Sequence, residues 1–371
     1  MASTTETLLL TGATGFLGSA IAAELLEHQT GGQLLFLVRA EDAGKGLERL
    51  RTSIARMAPN PVVLDRLSAD MVICGELSDF STHLHDSRVR SINRILNAAA
   101  LASFAWKQDV WSVNVEHTVK FARAVSELPE LRRFLYVGTA MISGNTANRT
   151  VHEDEFPADV RQFAPYTTSK AEIERRLPAA LGRVPLVVAR PSIVVGHTGV
   201  GCQPSPSIFW VFRMINAAKR IPLPTRYRVD VIPVDYCARA LIHLLLKQHL
   251  AHTRYHISAG PLGSCSFAEI DEAYSAVHEG AESHELTEFD IADIHTLESH
   301  FVEWFGPCNP RRMISAVHIY RVFAGLNVTF DNSRLRAEGA DAPPRFTDYL
   351  GACVRTGENE PVAEQMLCDF R

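Results

Sequence analysis

The stretch TLLLTGATGFLGSAIAAELL, residues 7–26, decides the fold of this chain. It opens with a continuous apolar run that is typical of a β-strand covered on both faces. Three glycines, Gly12, Gly15 and Gly18, follow at once, and apolar residues at helical spacing come after them. Glycines at such a junction permit a tight turn and let the backbone approach a pyrophosphate. The strand–turn–helix context therefore predicts a dinucleotide-binding loop, although the spacing is Gly-x-x-Gly-x-x-Gly.

Short apolar runs and helical segments continue to alternate up to about residue 190. The runs at 33–39, 70–75, 92–99, 132–139 and 184–190 are predicted strands, and the segments between several of them have helical periodicity. Repeated β-α-β order predicts an α/β fold with a doubly wound parallel sheet of the Rossmann type. Ligands of such sheets bind at the carboxyl ends of the strands.

The pattern changes after residue 196, where a Gly/Pro/Ser loop precedes the aromatic segment IFWVFRMINAAKR, residues 208–220. The stretch 229–260 returns to the alternating pattern, and the chain beyond it is mainly helical in pattern. We therefore predict a Rossmann domain over residues 1–200, completed by 229–260. Residues 201–228 and 261–371 are predicted to form a smaller, mostly helical lobe that binds substrate or acts as a lid.

Composition excludes several classes of protein. The net charge of −5 over 371 residues gives no reason to expect a nucleic-acid partner. No apolar run approaches the roughly 20 residues that span a bilayer, and no signal peptide is apparent, so we expect a cytoplasmic protein without stable membrane insertion. The seven cysteines form no Cys-x-x-Cys pair, which predicts free thiols and no metal site.

The end of the second predicted strand bears on the choice of cofactor. Arg39 stands where NAD enzymes of this architecture usually keep an acid for the ribose 2′-hydroxyl. An arginine suits a 2′-phosphate, which predicts NADPH (NADP) as the cofactor. Glu41 and Asp42 lie close by, and the alternative is an arginine that is merely on the surface.

Three candidate catalytic side chains follow in order. Thr139 ends a buried predicted strand, and Tyr166 and Lys170 lie four residues apart in a predicted helix, on one face. We expect the Lys170 ammonium to lower the pKa of the phenol and to reach the ribose hydroxyls of the cofactor. Thr139 would hold the substrate oxygen by a hydrogen bond. A lone Tyr-x-x-x-Lys pair is more often a solvated helix face, so the case depends on the whole ordered set.

The first 196 residues resemble the extended short-chain dehydrogenase/reductases. The shared motifs are TGATGFLG, NAAA at Asn97–Ala100, NVEHT at Asn114–Thr118, VGTA, YTTSK, and RPSIVVG from Arg190. The resemblance implies a catalytic triad of Thr139, Tyr166 and Lys170. The predicted cofactor-binding residues are Gly12, Thr14, Gly15, Phe16, Leu17, Gly18, Arg39, Glu76, Leu77, Asn97, Ala98, Ala99, Lys170, Pro191, Ser192 and Ile193.

Within this group the segments LFLVRA, ICGELSD and DVIPVDYCARAL resemble the thioester-reductase branch. That branch includes fatty acyl-CoA reductases, carboxylic acid reductase termini and chain-releasing reductases of synthases. Glu76 stands where the branch commonly has aspartate, and the tail looks more like free-standing acyl reductases. The resemblance implies NADPH-dependent reduction of an acyl thioester, carried by CoA or a carrier protein, to an aldehyde. A second reduction to an alcohol is left open.

Other functions use the same catalytic set or the same fold. One alternative is an extended-type ketoreductase, hydroxysteroid dehydrogenase or nucleotide-sugar epimerase. Another, of a different class, is a non-catalytic protein that senses NADP(H). A sensor needs neither Tyr166 nor Lys170, so the intact pair argues against it.

The lobe carries an aromatic group and a basic cluster whose roles the sequence leaves open. The aromatic group is Phe209, Trp210, Phe212 and Met214, and the basic cluster is Lys219, Arg220, Arg226 and Arg228. They predict either an acyl tunnel with a docking site for a phosphorylated or acidic donor, or a lid core with a solvated edge. Residues 255–310 hold eleven Asp and Glu and no Lys or Arg, and we expect this acidic block to repel such a donor.

Overall fold

A seven-stranded parallel sheet forms the centre of the molecule. The computed structural model describes residues 6–369 except 29–31, 59, 103–108, 157–161, 163, 203–207 and 278–284. The strands are β1 Thr7–Thr11, β2 Gln33–Val38, β3 Val72–Cys74, β4 Arg94–Asn97, β5 Arg133–Val137, β6 Leu186–Pro191 and β7 Arg254–Ile257. Their order is β7-β6-β5-β4-β1-β2-β3. The predicted doubly wound α/β fold is confirmed, and chain order reverses between β1 and β4, where such sheets bind ligands.

Helices flank this sheet and build the remainder of the chain. They are α1 Phe16–His28, α2 Ala43–Ala55, α3 Ser87–Arg90, α4 Asp109–Trp111, α5 Thr118–Val125, α6 Pro165–Leu181, α7 Phe209–Ala218, α8 Val234–Leu246, α9 Gly260–Gly263, α10 Phe267–Ser275, α11 Phe301–Phe305, α12 Pro310–Ala324, α13 Ser333–Ala337, α14 Phe346–Gly357 and α15 Val362–Asp369. Tighter 3-10 turns cover Pro61–Arg66, Ala69–Met71, Phe80–His83, Ala140–Ser143 and Ile291–His300, and Ser112–His117 is π-helical.

Pairs of two-residue strands tie distant parts of the chain together. Thr150–Val151 pairs with Thr329–Phe330, Ile193–Val194 with Val231–Ile232, Arg220–Ile221 with Thr287–Glu288, and Arg228–Val229 with Cys265–Ser266. The first pair joins the segment before α6 to the segment after α12. The C-terminal chain is therefore hydrogen-bonded to the part of the chain that leads into the predicted catalytic helix.

Both faces of the sheet are covered, which explains why its strands are continuous apolar runs. One buried cluster packs α1, α2 and α8 on the sheet, and a second packs α5 and α6 on the opposite face. A separate core joins α7, α10, α12 and α14. The lobe thus has apolar packing of its own, and its predicted boundaries with the Rossmann domain stay a prediction.

The turn between β1 and α1 brings three stretches of backbone unusually close together. Gly12 has a φ of 75°, and a Cβ on it would lie 2.7 Å from the Ala99 nitrogen. A Cβ on Gly18 would lie 2.0 Å from the Gly12 carbonyl oxygen. These two glycines are therefore demanded by packing and backbone conformation.

We expect Gly18→Ala to lower the free energy of unfolding by about 2 kcal/mol, because overpacking a close contact costs about 1–3 kcal/mol. Gly15→Ala is the matched control, since the nearest atom to a Cβ there is the Gly12 carbonyl oxygen at an ordinary 3.4 Å. Denaturant unfolding of both variants measures the difference. Equal stability of the two would contradict the packing argument.

Candidate active site

A cavity of about 680 Å³ opens at the carboxyl ends of β1, β4 and β5. The glycine turn lies on its wall, and Thr139, Tyr166 and Lys170 lie on it as well. The other predicted site residues that line this cavity are Gly12, Thr14, Gly15, Phe16, Leu17, Gly18, Arg39, Glu76, Leu77, Ala98, Ala99, Pro191, Ser192 and Ile193. The structure therefore brings together every predicted site residue except Asn97.

Asn97 lies beneath the cavity wall rather than on it. Its side chain is buried, and its Oδ1 accepts a hydrogen bond of 2.7 Å from the Thr11 hydroxyl. The Thr11 oxygen in turn accepts from the Ala99 nitrogen at 3.3 Å. Asn97 thus joins the ends of β1 and β4 and holds the Ala98–Ala99 backbone beside Gly12. Its contact with the cofactor stays a prediction, and in the structure Asn97 supports the cavity wall from beneath.

Two arginines line one end of the cavity. The sequence predicts Arg39 there, but it gives no sign of Arg49, which lies on α2. The Arg49 guanidinium donates a hydrogen bond to the Arg39 carbonyl. The neighbouring acids are engaged elsewhere. Glu41 forms an ion pair with Lys45, and Asp42 caps α2 by accepting from the Lys45 nitrogen at 2.8 Å. Among the described lining residues, this end therefore carries two cations and neither of those acids.

The turn after β3 forms the wall next to the arginines. Its start is fixed by a 3.0 Å hydrogen bond from the Gly75 nitrogen to the Val38 carbonyl. The Glu76 nitrogen donates to Asp79 Oδ1 at 2.8 Å, while the Glu76 side chain is exposed and Leu77 is buried. The substitution of glutamate for the family's aspartate thus falls on an exposed side chain at the cavity.

Thr139 is held in place by the turn that follows β5. Its side chain caps the 3-10 turn Ala140–Ser143 by accepting from the Met141 nitrogen at 3.3 Å. Thr139 as a whole is only 6% exposed, yet it lines the cavity. Because one lone pair receives a backbone N–H, the hydroxyl proton is the part of this group suited to a substrate oxygen.

Lys170 is 3% exposed and lies on α6, one turn after Tyr166. Its Nζ donates to the Val137 carbonyl at 2.7 Å and lies 4.8 Å from the Tyr136 ring centroid and 5.8 Å from the Tyr166 ring centroid. The backbone of β5 therefore fixes the amine at the junction between this strand and α6.

Burial controls the protonation of the pair. It lowers the pKa of Lys170 to about 7 and raises the pKa of Tyr166 to about 12. We had expected the ammonium to lower the pKa of the phenol. The pKa of Tyr166 is raised instead, because the free energy lost by removing the phenolate from water exceeds any stabilisation that the Lys170 ammonium gives it. At neutral pH Tyr166 is therefore a protonated phenol that can donate a hydrogen bond.

Asn114 is a supporting residue to which the sequence assigned no role. It lies in the π-helical turn Ser112–His117, and its side chain accepts from the Leu101 nitrogen at 2.8 Å and donates to the Leu101 carbonyl at 3.1 Å. It also donates to the Ser169 hydroxyl at 3.0 Å. The motif NVEHT was its signal. Asn114 joins the loop after β4 to the residue that precedes Lys170.

The other end of the cavity is apolar and aromatic. Met141, Ile208, Tyr320 and Phe323 line it, and Tyr320 and Phe323 lie three residues apart on α12. The Tyr320 ring packs edge-on against Trp210, with ring centroids 5.1 Å apart. Among the described lining residues, the acidic and basic ones are the two arginines, Glu76, Lys170 and His117. The sequence carries no distinct sign that α12 lines the cavity, because the spacing of its apolar residues is that of an ordinary amphipathic helix.

The aromatic group of α7 does not form a tunnel. Phe209, Trp210, Phe212 and Met214 are all buried in the core of the lobe. None of the four lines the cavity, to which only the neighbouring Ile208 contributes from this part of the chain that the structure describes. The structure favours the interpretation of this segment as lid core.

Two of the four residues of the basic cluster form ion pairs with the acidic block. Lys219 Nζ lies 2.8 Å from Asp271 Oδ1, and Arg228 Nη1 lies 3.2 Å from Glu269 Oε2. Arg226 instead lies over the ring of the adjacent Tyr227. The block that was expected to repel a donor is therefore an internal partner of these cations, which weakens the predicted docking site.

The structure also bears on metals, disulfides and membranes. Within the described ranges, no three His, Cys, Asp or Glu side chains are grouped in a way that could hold a metal ion. The six cysteines whose side chains are described are free thiols. None of the helices in the described part of the chain combines the length and apolarity needed to cross a bilayer.

Known proteins share this fold over nearly the whole chain. The terminal R domain from the myxalamid PKS-NRPS biosynthetic pathway has a TM-score of 0.75, with 18% identity over 96% of this chain and 91% of that chain. The reductase domain of a non-ribosomal peptide synthetase from Mycobacterium tuberculosis has a TM-score of 0.71, with 21% identity over 95% of this chain and 92% of that chain.

Sequence comparison supplies the family. The aldehyde reductase lnaA of Aspergillus flavus is 28% identical over 67% of this chain and 25% of its own length. This chain spans about a quarter of the length of the first curated relatives that it matches. The NAD-binding model described as Male sterility protein matches residues 10–241, which is more than half of the 371 residues. The predicted kinship with thioester reductases is confirmed, and the chain belongs to the Male sterility protein family of NAD-binding proteins.

Proposed function

We propose that this chain uses NADPH to reduce an acyl thioester to an aldehyde and a free thiol. The observation that carries the proposal is the cavity with two unlike ends, which Thr139, Tyr166 and Lys170 all line. One end has two arginines and a glycine turn, and the other is apolar and aromatic. This division suits a charged dinucleotide on one side and an uncharged acyl group on the other.

The residues present fit a nicotinamide dinucleotide. Gly12 and Gly18 are explained by packing, but Gly15 has ordinary room for a Cβ and still lines the cavity. Close approach of a pyrophosphate to the turn and to the start of α1 gives a reason for glycine there. Arg39 and Arg49 would hold a 2′-phosphate, which favours NADPH over NADH. The bound cofactor supplies the hydride.

The protein's own groups serve the substrate oxygen. When hydride adds to the thioester carbonyl carbon, negative charge develops on the oxygen, and the Thr139 and Tyr166 hydroxyls are placed to donate to it. The high pKa of Tyr166 keeps its proton available, and transfer of that proton forms a hemithioacetal. The C–S bond then breaks as the aldehyde carbonyl forms. The hydroxyl proton returns to the Tyr166 oxygen, and the departing thiolate takes up a proton from water.

The apolar end of the cavity helps to distinguish thioester reduction from the epimerase and ketoreductase alternatives. A nucleotide-sugar carries a diphosphate that cations usually bind, and the described residues at the apolar end include no cation. This disfavours the epimerase. The relative named aldehyde reductase supports an aldehyde as a substrate, and hence a second reduction to an alcohol, and those named nonribosomal peptide synthetase support an acyl group on a carrier protein. A ketoreductase is separated from this proposal by the release of thiol.

The proposal predicts that NADPH oxidation with an acyl thioester releases thiol. One thiol should be released for each NADPH oxidised when the product is an aldehyde, and one thiol for every two NADPH when the product is an alcohol. We expect Tyr166→Phe to lower kcat by roughly 10²- to 10⁴-fold, the usual contribution of a general acid, while NADPH binding changes little. Tyr227→Phe, a half-buried tyrosine absent from the cavity lining, is the control. Simultaneous assays of thiol and NADPH test this, and full turnover by Tyr166→Phe would refute the assigned role.

The two arginines predict a preference for the phosphorylated cofactor. We expect Arg39→Gln and Arg49→Gln each to raise the Kd for NADPH by roughly tenfold or more, because each removes a charge-assisted hydrogen bond. The Kd for NADH should change little. Arg56→Gln, an exposed position at the end of α2 outside the cavity lining, is the control. Fluorescence titration measures all three, and equal losses for both cofactors would contradict a 2′-phosphate site.

The lowered pKa of Lys170 predicts a fall in activity above neutrality. The ammonium is present below about pH 7 and is lost as the pH rises through that value, so electrostatic support for the developing oxyanion should be lost with it. We expect kcat/KM to decline between pH 6 and 8. The residual activity of Lys170→Arg, whose charge persists, should lack this decline.

Glu153 provides the control for this assignment. Burial raises the pKa of its carboxyl to about 7 as well, although it does not line the cavity. Glu153→Gln should therefore retain the decline in kcat/KM. A pH profile that is flat in the wild type, or flattened by Glu153→Gln instead of by Lys170→Arg, would overturn the assignment to Lys170.

A further inference from the structure

A buried ion pair lies directly beside the catalytic set. The side chains of Arg190 and Glu174 are each 1% exposed. Arg190 Nε lies 3.1 Å from one carboxylate oxygen of Glu174, and its Nη2 contacts the other. The contact is therefore bidentate, with both partners fixed in one plane.

The pair connects the two elements that carry the site. Glu174 lies on α6 one turn after Lys170, which is itself one turn after Tyr166, so the three lie on one side of the helix. Arg190 belongs to β6 and immediately precedes Pro191, at the start of the cavity-lining stretch 191–193. A bond between Arg190 and Glu174 thus restricts both the rotation and the sliding of α6 against this strand.

Further contacts extend this hold to the chain that leads into α6. Arg190 Nη1 donates to the carbonyls of Glu153 at 3.3 Å and Glu155 at 3.0 Å. Arg254, on β7, donates through Nε to Glu174 Oε1 at 3.2 Å. Glu174 therefore meets cations from two neighbouring strands, and Arg190 holds the segment before the predicted catalytic helix as well as the helix itself.

We propose that Arg190 and Glu174 are positioning residues that hold Tyr166 and Lys170 in register with the cavity wall formed by β6. A buried ion pair adds little net stability compared with apolar residues of similar volume, because both charges lose their hydration. What the bidentate contact supplies is a defined geometry. A displacement of about 1 Å at a reacting group can cost roughly 10²-fold in rate. This role in turnover rests on the proposed function.

The test compares Glu174→Gln with Glu172→Gln on the same helix. Glu172 forms exposed ion pairs with Arg175 and Arg176, so its variant alters the charge of α6 without touching the buried contact. Hydrogen exchange of the amides in α6 and kcat are measured for both variants, with the Kd for NADPH as a reference. A double variant, Arg190→Met with Glu174→Leu, removes both buried charges and provides a second test if Glu174→Gln fails to fold.

We expect faster exchange in α6 and a kcat lowered by roughly 10- to 100-fold in Glu174→Gln and in the double variant, at temperatures where each is fully folded. The Kd for NADPH should rise by a smaller factor than kcat falls, since Arg39, Arg49 and the glycine turn are untouched, although Lys170 and residues 191–193 also line the cavity. Glu172→Gln should match the wild type in all three measurements.

Two outcomes overturn the proposal. If α6 exchanges as in the wild type, the pair does not hold the helix. If exchange rises while kcat per folded enzyme is unchanged, the pair is only structural. A wild type that reduces no acyl thioester refutes the proposed function separately, and the exchange data still decide whether the pair restrains α6.

Discussion

The close approach of the backbone at Gly12, Ala99 and Gly18 is the constraint on which the rest of the structure depends. A side chain at Gly12 or Gly18 would collide with main-chain atoms, so β1, α1 and the loop after β4 can meet only through glycines. The hydrogen bonds from Thr11 to Asn97 and from Ala99 to Thr11 hold the same junction. Because the junction lies where the strand order reverses, it creates the crevice that the other site residues line.

Burial in this crevice sets the chemistry of the side chains within it. Desolvation disfavours every charged form, so it acts on the lysine and the tyrosine in opposite directions of pKa. The lysine becomes an amine that is half protonated near neutrality, and the tyrosine becomes a phenol that holds its proton. In the proposed reduction the oxygen needs a proton donor, and the half-buried Tyr166 phenol holds its proton before any substrate arrives. The isolated pair of residue types does not reveal this, since in water the ammonium would dominate.

What sequence could predict here is what local pattern determines. The strands were recognisable because parallel strands buried on both faces are apolar throughout, and Tyr166 and Lys170 because they follow the glycine turn and Thr139 in the order of a set of family motifs. Arg49, Tyr320 and Phe323 reach the cavity only through tertiary packing, so spacing along the chain carries no sign of them. The pairing of Lys219 with Asp271 likewise joins residues 52 apart, which is why spacing along the chain did not show that two of the four cations in the basic cluster have acidic partners.

The two ends of the cavity also limit what the enzyme can accept. Phosphates are drawn to the arginines, whereas a charged acyl group placed between Met141, Tyr320 and Phe323 would lose its hydration without gaining a described counter-charge. In the proposed reaction, the apolar surroundings also screen charge less than water does, which strengthens the hydrogen bonds from the Thr139 and Tyr166 hydroxyls to the developing oxyanion. Selection of an uncharged substrate and stabilisation of a charged transition state therefore have one physical origin. Hydrogen-bond donors stabilise such a charge best when they are already fixed in position before it forms. For this reason the proposed role of the buried Arg190–Glu174 contact in holding α6 complements that of the groups facing the substrate.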